Sequence, residues 1–134
     1  MESKYVLVLG RQGHHEIPQA LTALGYNPIV RGSVIHCYEK LRSEYIVAVI
    51  VESDFTHADV LEFVLNVRDL DETVPIVVLG RSCKKNHEHK LIQQKHVFRL
   101  DLSTQEQRQS DKVKAELNNI LKVTHNEVCI DEGR

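Results

Sequence analysis

Apolar and polar positions follow two rhythms in this chain, and the rhythms take turns. Tyr5 to Leu9 (YVLVL) is a continuous apolar, largely β-branched run, the pattern of a strand covered on both faces. The polar stretch GRQGHHE follows as a loop. Ile17, Ala20, Leu21 and Leu24 then fall at i, i+3, i+4 and i+7, which predicts an amphipathic helix. Pro18 suits its first turn and Gly25 its C-terminal cap. Asn27 to Arg31 (NPIVR) reads as a short strand ending at Gly32, although Pro28 is a residue that sheet interiors exclude. Ser33 can cap a helix that turns Val34, Ile35, Tyr38 and Leu41 inward, with Cys37 on the inner side as a small core residue. Tyr45 to Val51 is a strand buried on both faces, and it runs directly into Glu52 and Asp54.

The second half repeats the alternation. Thr56-His57-Ala58-Asp59 has the shape of a capping box with Asp in place of Glu. The helix after it places Val60, Leu61, Val64, Val67 and Leu70 inward. Val74 to Leu79 is another buried strand, with Pro75 at its start and Gly80 ending it. Residues 81–95 are very polar, with Leu91 and Ile92 the only apolar anchors, so this stretch is expected to be the least ordered of the fold. Val97 to Leu100 is a short last strand. Ser103-Thr104-Gln105-Glu106 is a capping box, and the closing helix shows Val113, Leu117, Ile120 and Leu121 on one face. Five strands and five helices in strict alternation imply an α/β fold. A parallel sheet lies between two helical layers, joined by right-handed crossovers. One domain over residues 1–123 is expected, with 124–134 as a tail or linker.

Composition narrows the function classes. With 134 residues and 42% apolar content, a single core is adequate. Seventeen basic against nineteen acidic residues give a net charge of −2, which argues against general affinity of this domain for nucleic acid. No apolar run reaches the length of a membrane span, and the N-terminus lacks the features of a signal peptide, so a cytoplasmic location is the expectation. Cys37, Cys83 and Cys129 are odd in number and widely spaced, as reduced thiols are. Cys83, His87 and His89 match no common zinc spacing, and with His14-His15 they read as surface groups; no metal or other cofactor is expected.

Two carboxylates at the end of a buried strand sit where open α/β sheets keep their ligand sites, which makes Glu52 and Asp54 the candidate functional residues. Gly10-Arg11-Gln12-Gly13 lacks the lysine and spacing of a phosphate-binding loop. No set of nucleophile and base is visible, so the chain is not expected to be an enzyme.

The layout and several segments resemble the receiver domain of bacterial response regulators, over residues 4 to about 123. KYVLVLG at 4–10 is similar to that family's first strand, and YIVAVIVESDFTHADVLEFV at 45–64 to its third strand, loop and third helix. VPIVVLG at 74–80 is similar to the fourth strand. The resemblance implies a flavodoxin-like five-stranded sheet of order 2-1-3-4-5, with the site at its carboxyl edge. The departures are specific. The family's pair of acids falls on Leu9 and Gly10, its phospho-accepting Asp on Glu52, its Ser or Thr on Gly80, and its Lys on Arg99. Phosphoryl transfer there needs several carboxylates around Mg²⁺ and a fixed cation. Glu52, with at most Asp54 beside it, is too little charge to hold Mg²⁺, so the resemblance is to a degenerate, pseudo-receiver site. Glu52 can stand in for a phosphorylated Asp, Asp54 is a possible displaced acceptor, and Arg99 is a candidate partner for Glu52.

A narrower resemblance is to the degenerate receivers at the N-termini of flagellar regulators among the sigma-54-dependent transcription activators. It implies an output ATPase and DNA-binding region beyond the tail. The function implied is regulation through a protein partner or output domain, without phosphorylation. The alternatives are a receiver phosphorylated in the Glu52/Asp54 region and a small-ligand-binding flavodoxin-like domain. The family's association face corresponds to residues 84–123. There Lys84, Lys85, Lys90, Lys95 and Arg108 mix with Glu88, Glu106, Asp111 and Glu116, a pattern suited to a weak, salt-sensitive homodimer.

Overall fold

The computed structural model describes residues 4–10, 16–52, 59–80, 90, 93–100 and 113–122. Its elements run β1 (Tyr5–Leu9), α1 (Glu16–Ala23), β2 (Asn27–Arg31), α2 (Val34–Ser43), β3 (Ile46–Glu52), α3 (Val60–Leu70), β4 (Ile76–Leu79) and β5 (Val97–Leu100). Residues 113–122 form a closing helix. The five strands make one parallel sheet in the order β2-β1-β3-β4-β5, the flavodoxin-like order expected. The expected tail at 124–134 and the capping box at 103–106 lie outside the described residues, as does most of the polar segment 81–95.

Strand alternation divides the core in two. Val6, Val8, Ala48, Ile50, Val77, Leu79 and Leu100 face α1 and the closing helix, where Ile17, Ala20, Leu21, Val113, Leu117 and Leu121 meet them. Leu7, Leu9, Val49, Val51, Ile76 and Val78 face α2 and α3, against Cys37, Val60, Phe63, Val64 and Val67. Both faces of the central strands are covered, which is why their sequences are apolar without interruption. Pro28 fits because β2 is an edge strand. Gly25 ends α1 with φ 93°, as a C-terminal glycine does.

Several side chains stand elsewhere than the periodicity predicts. Ile35 is 64% exposed: it lies two residues from the buried Cys37, about 200° round the helix. Tyr45 is 78% exposed, because pairing begins at Ile46, opposite Tyr5. Leu70, the last residue of α3, is 39% exposed, whereas Phe63 fills that face and stacks on Tyr38 with ring centroids 5.7 Å apart. The cap of α3 is Asp59, whose side chain accepts from the Glu62 N–H, and not Thr56 three residues earlier. β4 starts at Ile76, later than Val74.

Candidate functional site at the carboxyl edge of the sheet

Register fixes which residues share the edge. Leu9 pairs with Arg31 on one side and Val51 on the other; Val51 pairs with Val78, and Val78 with Arg99. This row faces α2 and α3. The next row faces α1 and the closing helix: Glu52 pairs with Leu79, and Leu79 with Leu100. Gly10, one step beyond Leu9, falls beside Glu52 in that second row.

The two family positions at the end of β1 therefore do different things. Leu9 is 0% exposed and packed in the core under α2 and α3. A carboxylate there would be a charge in an apolar core. Gly10 is buried under the Glu52 side chain: a Cβ added to it would lie 2.7 Å from the Glu52 carboxyl carbon. Glu52 closes β3 and is half-buried. Asp54 and the loop 11–13 lie outside the described residues, as do His14, His15, Cys83, His87 and His89.

Gly80, at the family's hydroxyl position, is buried and has φ 115°, a conformation that a Ser or Thr adopts only with strain. Its N–H donates to the Leu100 carbonyl at 3.2 Å, the last bond of the β4–β5 ladder.

Arg99 does not share a row with Glu52. The two belong to opposite faces of the sheet, Arg99 with Val97 and Val78, Glu52 with Ile50 and Leu79. The Arg99 Nη1 donates to the Val78 carbonyl at 3.1 Å. The β5 residue that shares both row and face with Glu52 is Leu100, 9% exposed. Sequence reading offers Arg99 as a partner for Glu52, whereas the register places the two in different rows and on opposite faces of the sheet.

Among the described residues, the row that ends in Glu52 and Gly10 offers one carboxylate beside apolar and glycine neighbours. Among the described residues, no three His, Cys, Asp or Glu side chains gather as a metal site would require. Cys37 is no nucleophile at ordinary pH: burial pushes its thiol up to about 12, against a smaller opposing pull from Arg31.

At the other end of the sheet a residue that sequence reading missed organises the chain. Arg68, on α3, donates through Nε and Nη2 to the Lys95 carbonyl at 3.1 and 2.8 Å. Nη2 also reaches the His96 carbonyl at 3.2 Å, and Nη1 the Asp71 carbonyl at 3.2 Å. His96 has φ 60°, unusual for a residue with a side chain, and its carbonyl also accepts from the Ile76 N–H at 2.9 Å. Asp71 caps the turn into β4, its Oδ1 accepting from the N–H groups of Thr73 and Val74, each at 3.0 Å.

No protein-family model matches the chain, and no curated protein matches it. Solved structures do. The signal receiver domain of an HD domain-containing protein from Pseudomonas fluorescens Pf-5 is 16% identical, with a TM-score of 0.72 over 93% of this chain and 90% of that one. The chemotaxis response regulator CheY4 of Vibrio cholerae is 14% identical, with a TM-score of 0.71 over 90% of this chain and 99% of its own. A CheY-like receiver domain protein from Methanospirillum hungatei JF-1 reaches a TM-score of 0.74 at 12% identity, over 94% and 99% of the two chains. The fold of this chain is thus the CheY-like, flavodoxin-like α/β fold of response-regulator receiver domains.

Proposed function

We propose that this chain is a receiver-like regulatory domain that is not phosphorylated and acts by contact with a protein partner or output domain. Four positions at the carboxyl edge support this reading together. Leu9 is committed to the core, Gly10 lies under Glu52, Gly80 has a backbone set for glycine, and Leu100, two strands from Glu52, fills the β5 position of its row with an apolar side chain. Phosphoryl transfer depends on positioned charge more than on any other factor, and this edge has little of it. The fold itself is one that regulates through the surfaces of its helices and strands, which leaves a protein-contact role open when the phosphorylation site is lost.

The setting we favour is a bacterial regulator of the sigma-54-dependent activator type, as the resemblance of residues 51–80 suggests, in the cytoplasm. A weak homodimer through the face 84–123 belongs to the same reading. Of its charged positions, Lys90, Lys95 and Glu116 are exposed. The alternative, a receiver phosphorylated at Glu52 or at Asp54, is tested directly. Incubation with acetyl phosphate and Mg²⁺, followed by intact mass measurement, is expected to leave the mass unchanged. A stoichiometric adduct of one phosphoryl group would overturn the reading.

A further inference from the structure

We infer that Gly10 is a glycine on account of Glu52, and that the two form a steric latch holding the Glu52 carboxylate turned in over the end of β1. This rests on the reading of the carboxyl edge as a closed site and says what closes it.

The backbone does not call for glycine at this position. Gly10 is not among the residues with positive φ, which among the described residues are Gly25, Gly80 and His96. Its N–H donates to the Arg31 carbonyl at 3.1 Å, an ordinary continuation of the β1–β2 ladder that any L-residue except proline can make. Nor does the main chain of a neighbouring strand crowd it. The atoms nearest a Cβ at Gly10 all belong to the Glu52 side chain: Oε2 closest, then the carboxyl carbon at 2.7 Å and Cγ at 3.2 Å. The volume that a side chain at position 10 would fill is filled by the carboxylate from position 52.

Two consequences follow from this packing. The carboxylate is directed inward along the sheet edge instead of outward to solvent, and the space between the ends of β1 and β3 is occupied by the chain's own anion. A hydrated cation or a phosphoryl group approaching that space meets atoms already in place, quite apart from the shortage of charge. The longer side chain matters here, because Asp lacks the methylene that carries the carboxyl group across to β1. The obstructing atoms are also the end of a flexible side chain. A residue larger than glycine at position 10 therefore displaces the carboxylate and leaves the strand in place.

Amide hydrogen exchange at Gly10 and the NMR resonances of the Glu52 side chain test the latch, in the wild type and in Gly10→Ala, Glu52→Ala and Glu52→Gln. Removing the cover in Glu52→Ala is expected to speed exchange at the Gly10 amide by on the order of tenfold. Glu52→Gln, of the same shape, keeps the wild-type rate. Gly10→Ala is expected to fold and to shift the Glu52 carboxyl resonance. The latch is overturned if Glu52→Ala leaves the Gly10 exchange rate as it was, or if Glu52→Gln speeds it as much as Glu52→Ala. An unmoved Glu52 carboxyl resonance in folded Gly10→Ala has the same force. Should Gly10→Ala fail to fold, the two Glu52 variants decide the question alone. A phosphoryl adduct on the wild type with this exchange pattern intact would defeat the unphosphorylated reading and spare the latch, and the converse result would do the opposite.

Discussion

The two ends of the sheet use polar groups in opposite ways. At the amino end, Arg68 and Asp71 each bind several main-chain groups, and the entry to β5 is tied to α3 through the carbonyls of Lys95 and His96. At the carboxyl end, the described positions that this fold would equip for chemistry are apolar or glycine, with Glu52 laid over Gly10. The first region is built from polar side chains whose role is to hold backbone. The second shows, among the described residues, one carboxylate, Glu52, beside apolar and glycine positions. Ligand sites of open α/β sheets lie at the carboxyl edge, so among the described residues the denser polar bonding to main chain sits at the end of the sheet away from that edge.

Substitutions should separate the two regions by size of effect. Leu9→Asp is expected to have the largest effect, about 3 kcal/mol or more of unfolding free energy, because the side chain faces the core under α2 and α3. Urea denaturation followed by circular dichroism measures it. A variant as stable as the wild type would mean that position 9 can turn to the edge, and that a charged site is easily restored. Arg68→Ala comes next. It removes four hydrogen bonds from a half-buried guanidinium to three carbonyls, and about 2 kcal/mol is expected. Arg68→Lys should recover little, because an ammonium group cannot reproduce the planar fork. A loss below about 0.5 kcal/mol would show that the amino end is held by other contacts and would remove half of the contrast. Glu52→Gln should have the smallest effect, within about 0.5 kcal/mol, since shape and packing are kept. A larger loss would make the charge of Glu52 a stabilising element and the carboxyl end less inert than described.

Much of the fold was legible in the sequence because its strands are buried on both sides. The runs at Tyr5–Leu9, Asn27–Arg31 and Val97–Leu100 coincide with β1, β2 and β5. Where the reading slipped, it slipped at helix faces and element ends. Ile35, Tyr45 and Leu70 are apolar, but burial depends on which side of an element meets its neighbour and on where pairing starts. The site was legible only in part. Glu52 could be located at the end of a strand from the apolar run before it. That Leu100 and not Arg99 shares its row could not, because register between strands separated by helical crossovers is decided by packing and leaves no local mark in VFRL. The contact between Gly10 and Glu52 joins residues far apart in the chain, and a glycine at a strand end reads as a turn. Nothing in the sequence singles out Arg68, because its acceptors are main-chain carbonyls that carry no sequence signal.

The central claim is that the carboxyl edge does not accept a phosphoryl group with its metal. Beryllofluoride with Mg²⁺ imitates that group without requiring transfer, so it reads the site itself and not the reactivity of a donor. The direct measurement is a titration of the wild-type protein with both, following backbone amide resonances by NMR. The account predicts that the amides of Gly10, Glu52, Leu79 and Gly80 stay where they are at millimolar ligand. Saturable shifts at these four positions, absent when Mg²⁺ or beryllofluoride is added alone, would contradict it.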